Sequence, residues 1–500
     1  MEQNQELKSA LLEETPWVVD AQNEATQRKN IALLFDLNKM AFEKEKALKK
    51  LSDRVANDGG ISWFPGGRPN DYITQYILEG IGHLKKLGVD ITNELSWLTN
   101  SINYIDRSFI ERYERLLQMS KEGKIKLSDD NLDYMTIHYL YTKTFFNESN
   151  NDSKLIEAKK YYLDQAKKYW KKGLYNEGMI ALILNRNNEK NSALEIVKSL
   201  KERAIVNEEM GMYWKNNYGY YWYQLPIETH SLMVEAFSEI SNDNLAVEQL
   251  KTWLLKNKQT NNWNTTKGTS NAIYALLLNG NKWLDADNSP NITLGNQKID
   301  ISKIQKEAGS GYFKIDYKGK EISKDMATIK IENTNPVPSW GAIYWQYFEQ
   351  LDKITTFQET PLTLVKKYFI EENSPTGPKL VEINPKKELK PGDKLKVRIE
   401  LKVDRAMEFI HLKDMRPSNT EPTNVLSQYK WQDGLGYYES TKDLSSNFFI
   451  EYLPKGTFVF EYPLNIVREG NCSTGIATIQ CMYAPEFSSH SNGLMLKVGK

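Results

Sequence analysis

Gly60-Ile61-Ser62-Trp63, Gly219-Tyr220-Tyr221-Trp222 and Asn261-Asn262-Trp263 are the stretches whose reading decides the fold. Each Trp-bearing turn runs shortly into a Thr and an apolar helical run. These are Thr74-Gln75-Tyr76-Ile77-Leu78, Thr229-His230-Ser231-Leu232-Met233 and Thr269-Ser270-Asn271-Ala272-Ile273. A turn–helix unit that recurs along a chain buries its apolar face against neighbouring copies of itself. All of these units lie before residue 288, and the chain behind them has the alternation of strands.

Working outward, residues 21–52 read as a helix: Ile31, Leu34, Phe35, Asn38, Ala41, Phe42 and Leu48 form one stripe with Lys and Glu opposite. The Asn57-Asp58-Gly59-Gly60 stretch ends it. The same periodicity predicts helices at 71–88, 92–121, 129–147, 152–171, 176–186, 190–204, 228–241, 243–257 and 268–279. Short links between them suit antiparallel helical hairpins. Hairpins with recurrent turn chemistry imply a closed α/α toroid.

The pattern changes near Asp285-Ala286-Asp287-Asn288-Ser289-Pro290. Leu395, Val397, Ile399, Leu401 and Val403 then alternate with Lys396, Arg398, Glu400 and Lys402 behind the turn Pro391-Gly392-Asp393, a half-buried strand. Met326 to Ile331, Phe458 to Tyr462 and Ile476 to Tyr483 read likewise, with breakers at 335–338, 374–378 and 453–456. The expected organisation is multidomain α + β: a toroid over 1–288, a small β domain over 289–360 and a β-sandwich over 361–500.

With 500 residues, the chain exceeds what one core organises. Lys+Arg and Asp+Glu are equal at 65, a balance that argues against a nucleic-acid partner, which needs a basic surface. No apolar run is long enough to span a bilayer. Met1 is followed by Glu2-Gln3-Asn4-Gln5-Glu6, which is no signal peptide. The opening runs straight into helix-like sequence without a cap, as expected of part of a longer protein. Cys472 and Cys481 flank a strand-like stretch; an extended chain would hold them too far apart for a disulfide.

Several patterns invite chemistry. Asp129-Asp130-Asn131-Leu132-Asp133 matches the Asp-Asp-x-x-Asp by which terpene synthases hold magnesium and diphosphate. The competing reading makes Ser128 an N-cap and the first two aspartates first-turn acids, and no second acidic motif supports a metal. The histidines His83, His138, His230, His411 and His490 lack zinc-site spacing, so no metal and no cofactor is expected. His230, behind Trp222 and Glu228, suits a lyase base, and Glu228 with a second acid would suit a glycosidase. Arg68 sits in a Gly-rich loop without the Lys-Ser/Thr ending of a P-loop, and no Gly-x-Ser-x-Gly elbow occurs. The tryptophans serve either as packing joints or as ligand platforms. Trp63, Arg68, Tyr72, Trp222, His230 and Trp263 are therefore the candidate docking surface of the toroid.

Leu11-Leu-Glu-Glu-Thr-Pro-Trp17, Ile31-Ala-Leu-Leu-Phe-Asp-Leu-Asn38, Trp63-Phe64 with Asp71-Tyr-Ile-Thr-Gln-Tyr76, and Trp340-Gly-Ala-Ile-Tyr-Trp345 resemble the thioester-type toroid region of bacterial alpha-2-macroglobulins, of the Bacteroidetes branch. Met415-Arg-Pro-Ser-Asn-Thr-Glu-Pro422, Tyr429-Lys-Trp-Gln-Asp433, Leu453-Pro-Lys-Gly-Thr457 and Tyr483-Ala-Pro-Glu-Phe-Ser488 resemble their final macroglobulin-like domain. The likeness runs nearly the whole chain in the same order.

The resemblance implies a large envelope or periplasmic protein that traps proteases: a bait segment is cut, the molecule rearranges, and a Cys-x-Glu-Gln thioester bonds the attacker. Neither Cys472 nor Cys481 stands in that motif. The chain is thus expected to be a non-enzymatic C-terminal part of such an inhibitor. Its small β domain would be the second half of a CUB-like module. Its partners would be proteases, through the parent, and the parent's upstream domains. The toroid and last sandwich would shield the thioester region. The alternatives are a polysaccharide lyase or glycosidase built from toroid and sandwich, and a glycan- or peptide-binding module.

Overall fold

The computed structural model describes residues 37–146, 152–215, 226–263, 265–278, 290–304, 313–333, 341–351, 353–383 and 387–499. They fall into two compact units, one carrying the helices and the short strands up to Glu332, the other the strands from Leu362 onward.

Ten α-helices lie among the described residues: α1 Leu37–Ser52, α2 Asp71–Lys86, α3 Leu98–Lys121, α4 Tyr134–Lys143, α5 Ser153–Lys168, α6 Leu174–Arg186, α7 Lys190–Glu202, α8 Pro226–Ile240, α9 Asn244–Thr260 and α10 Thr266–Leu277. They are of two kinds. In α3 the buried side chains, Leu98, Ser101, Ile102, Ile105, Asp106, Phe109 and Tyr113, form one stripe, as in a surface helix. In α4 and α8 burial is continuous, from Thr136 to Lys143 and from Glu228 to Phe237, as in a helix surrounded by protein. The helices α2, α4, α6, α8 and α10 pack in succession, while α3 and α7 pack against α2 and α6. His83 of α2 stacks on Tyr274 of α10 at 3.8 Å, closing the inner ring.

Local chemistry sets the helix starts. Asn70 accepts from Ile73 N (3.1 Å) to cap α2, and Thr265 accepts from Gly268 N (2.9 Å) to cap α10. Before α2, Gly59 has φ +91°, and a Cβ there would sit 2.2 Å from the Asn100 carbonyl oxygen. Only glycine fits this turn against α3. The expected helix start at 129 is corrected: α4 begins at Tyr134 because Asp133, not Ser128, is the cap, accepting from Thr136 N at 2.7 Å.

Strands β1 Ile205–Asn207 and β2 Gly211–Tyr213 form a hairpin between α7 and α8. Strands β3 Asn291–Leu294, β4 Gln297–Lys298 and β5 Ile329–Glu332 form a small sheet in the order β4-β3-β5. The strand expected from Met326 starts only at Ile329, because 324–327 is a 3-10 turn.

The second unit is a sandwich of antiparallel sheets. Its strands are β6 Leu362–Ser374, β7 Gly377–Glu382, β8 Lys394–Val403, β9 Met407–Met415, β10 Thr420–Pro422, β11 Gln428–Gln432, β12 Leu435–Thr441, β13 Ser445–Leu453, β14 Gly456–Ile466, β15 Gly470–Ser473, β16 Ala477–Cys481, β17 Ser488–His490 and β18 Met495–Val498. One sheet runs β10-β14-β8-β6-β7, the other β11-β12-β13-β9-β16-β17, and β15 pairs with β18. Leu395, Val397, Ile399, Leu401 and Val403 all point into the core, as the alternation requires. Ile476 to Tyr483 shortens to β16. Cys472 lies in β15 and Cys481 in β16, and both are free thiols.

Candidate functional site: the polar axis of the helical ring

The inner helices turn charged and aromatic side chains toward one another. Residues three, four and seven apart share a helix face. Tyr72, Gln75, Tyr76, Glu79, His83 and Lys86 therefore run down one face of α2, and Glu228, Glu235 and Glu239 down one face of α8. The contacts divide into two layers.

The layer at the C-terminal ends of these helices is an ion-pair network. Arg186 Nη2 donates to Glu235 Oε1 (2.6 Å) and Glu239 Oε2 (2.8 Å), and its Nε to Glu239 Oε1 (2.9 Å). Lys86 Nζ reaches Glu235 Oε1 at 3.1 Å and also pairs with Glu239. Tyr274 OH donates to Glu235 at 2.8 Å; Tyr141 OH donates to its other oxygen and lies 2.9 Å from His83 Nε2. Glu235 is 1% exposed. Burial alone would raise its carboxyl, but Arg186, Lys86 and His83 outweigh it and hold the group well below the usual carboxylate range.

The layer at the N-terminal ends is aromatic. Trp63 stacks on Tyr72 (6.3 Å between rings), Tyr72 on Tyr76 (6.1 Å) and Tyr134 on His138 (5.5 Å). Lys267 Nζ lies over the rings of Tyr72, Tyr76 and Tyr175 at 5.8, 5.3 and 5.6 Å. Beneath, His138 Nε2 is 2.7 Å from Glu79 Oε2. Burial would raise Glu79, yet the hydrogen bond and charge of His138, with His83 and Lys267, keep it low. Burial lowers Lys267, partly offset by Glu79 and Glu228. Glu228 accepts from Thr265 Oγ1 (3.1 Å) through Oε1, while its Oε2 has no hydrogen-bond partner among the described residues.

The structure brings together only part of the expected docking surface. Trp63, exposed, and Tyr72, half-buried, meet at the aromatic mouth, and Arg68 is exposed in the same turn as Trp63. Trp263 is half-buried against the helical core. Trp222 lies outside the described residues. His230 is a correction: it is 0% exposed, its Nε2 is 2.8 Å from the Leu250 carbonyl, and its ring packs 4.1 Å from Trp253. It faces α9 rather than a surface, and burial pushes it down to about 3. The Asp-Asp-x-x-Asp acids do not converge. Asp130 pairs with Lys172 at 2.6 Å, whereas Asp133 is spent on its cap. Among the described residues no group of three or more His, Cys, Asp or Glu is placed to hold a metal ion.

The sequence reading missed most of the axis. Glu79, His83 and Lys86 interrupt an otherwise apolar helix, and Glu228, Glu235 and Glu239 share one face of another. That spacing was the available signal.

A second buried network crosses the sandwich. Lys366 pairs with Asp414, Tyr462 OH donates to Asp414, and Arg416 Nη2 donates to the Asp443 carbonyl at 2.7 Å. It joins strands of the two sheets and is 0% exposed at Asp414.

Two families match. Residues 24–278 match the A-macroglobulin TED domain, and residues 362–486 match the Bacterial Alpha-2-macroglobulin MG10 domain. The chain belongs to the bacterial alpha-2-macroglobulin family. Among solved structures it is similar to trypsin-activated alpha-2-macroglobulin from Escherichia coli, at 10% identity and TM-score 0.38, covering 91% of this chain and 29% of that one. It is also similar to Salmonella alpha-2-macroglobulin reacted with methylamine, at 13% identity and TM-score 0.32, covering 90% and 27%. A third is native E. coli alpha-2-macroglobulin from domain MG7 to the C-terminus, at 11% identity and TM-score 0.32, covering 91% and 67%. The chain thus spans under a third of the length of the first two. No curated protein sequence matches it. Among the described residues no helix is long and apolar enough to cross a membrane.

Proposed function

We propose that this chain is the C-terminal, non-catalytic part of an alpha-2-macroglobulin-like inhibitor that traps proteases at the bacterial envelope or in the periplasm. Its toroid and final sandwich shield the thioester region of the parent until bait cleavage. Proteases engage it through that parent, whose upstream domains are its other partners. Division into a toroid over 1–288, a CUB-like half-module over 289–360 and a macroglobulin-like sandwich over 361–500 belongs to the same reading. Trp63, Arg68, Tyr72 and Trp263 form the docking face of the toroid.

The observation that carries this reading is the succession of TED and MG10 matches along one chain. The chemistry of the axis supports the non-catalytic part. Glu79, Glu235 and Glu239 are each committed to the cations they pair with, which hold them low against the pull of burial. The cysteines offer no activated acyl group, and burial pushes the Cys481 thiol up to about 11.

The test compares this chain with the protein expressed in its full reading frame. With trypsin or elastase, the chain alone is expected to give neither inhibition nor SDS-stable adducts, and the full product to inhibit. Inhibition by the chain alone would overturn the assignment of the reactive parts to the parent.

A further inference from the structure

We propose that Lys366 and Asp414 condense into an isopeptide bond that ties the two sheets of the sandwich together. The bond is a covalent modification of the second unit and is independent of the inhibitor reading.

Both residues occupy core positions of their strands. Burial alternates along the first half of β6, and Leu362, Leu364, Lys366 and Tyr368 take the inward places. In β9 those places include Ile410, Leu412 and Asp414. One strand belongs to the five-stranded sheet and the other to the six-stranded sheet, so the amine and the carboxyl meet across the core. The Lys366 side chain is 2% exposed and that of Asp414 0%. Lys366 Nζ touches Asp414 Oδ1, yet Oδ1 has no hydrogen-bond partner among the described residues. The nitrogen thus lies against the carboxyl group without the alignment of a hydrogen bond. The Met415 carbonyl accepts from Nζ at 3.0 Å and holds the amine in place, while Tyr462 OH donates to Asp414 Oδ2.

An ammonium and a carboxylate form an amide with no further reagent. The Nζ–Cγ bond forms and the Cγ–Oδ1 bond breaks. Oδ1 leaves as water with two of the three ammonium protons, and the third stays on the amide nitrogen. Four features favour this step. Groups fixed in contact react as one molecule rather than two. Oδ2 gathers negative charge while the carbon is tetrahedral, and the Tyr462 hydroxyl is already aimed at it. Burial pushes the Asp414 carboxyl up, toward its neutral form. Burial would lower Lys366, but Asp414 holds it up, so the proton that the amine must shed has Asp414 as its acceptor. The product also removes two charges from a core where each is costly to desolvate, and the dry surroundings keep water from reversing the bond.

The experiment weighs the full chain, unfolded in denaturant, by intact-mass spectrometry after prolonged incubation of the folded protein at neutral pH. The mass is expected to fall short of the sequence mass by one water. Proteolytic digestion should yield a branched peptide that contains both Lys366 and Asp414. Lys366→Arg, which keeps a cation beside Asp414, and Asp414→Ala should each restore the full mass expected for the variant. The decisive reading is on the unaltered chain and so does not depend on either variant folding. A full sequence mass for that chain overturns the inference, and so does a missing water that persists in both variants.

Discussion

Arg186 is the residue on which the ring's charge balance turns. It pairs with both Glu235 and Glu239, and Glu235 is almost fully buried. Arg186→Met strands a buried carboxylate with Lys86 as its main remaining cation. Removing one partner of such a pair costs about 3–5 kcal/mol, and urea unfolding of the helical unit should show a loss of that order. His230 carries a different prediction. Its folded value of about 3 lies below the ordinary histidine value, so the unfolded chain binds the extra proton as pH falls. Stability contributed by neutral His230 is complete above about pH 6.5 and is lost as pH drops toward 3, with a slope of up to about 1.4 kcal/mol per pH unit. The lowered carboxylates Glu79, Glu235 and Glu239 add a loss only at more acid pH, as pH falls through their folded values. His230→Phe should flatten the upper part of this profile in denaturation measured from pH 7 to pH 4. An unchanged slope would show that burial does not hold this histidine neutral.

At the scale of elements, α4 shows how one capping residue sets a boundary. Asp133 holds Thr136 N, so Asp133→Ala should cost about 1 kcal/mol, the usual worth of an N-cap. Asp129→Asn should change little, and magnesium should not shift the melting temperature of either protein. A magnesium-dependent rise abolished by Asp129→Asn would revive the metal reading. Most helices were legible because their apolar stripes keep the 3.6-residue period, while the cap at Thr265 went unread and the last helix starts at Thr266 rather than 268. The start of α4 was misplaced because Ser128, Asp130 and Asp133 are all competent caps, and only the fold decides which one the chain uses. The β8 strand was legible to within a residue because its one buried face enforces strict alternation. The Met326 strand was not, because a 3-10 turn takes its first half.

At the scale of the whole molecule, the order of a helical ring before antiparallel strands could be read from the Trp turns and the later alternation. The site could not. Where a helix is buried all round, as α8 is from Glu228 to Phe237, the rule that sends Glu, Lys and Arg to the surface fails, as it does at Glu235. His230 misled because it packs on Leu250 of α9, whereas Glu228, two residues before it, faces Thr265. We propose that the chain serves a protease trap; a trap that encloses a protease without touching its catalytic centre would block large substrates and spare small ones. The direct measurement is trypsin activity after reaction with the protein in its full reading frame, assayed in parallel on a large protein substrate and on a short chromogenic peptide. The account predicts that protein hydrolysis falls steeply while peptide hydrolysis persists. Equal turnover of the protein substrate with and without the inhibitor, or equal loss of both activities, would contradict it.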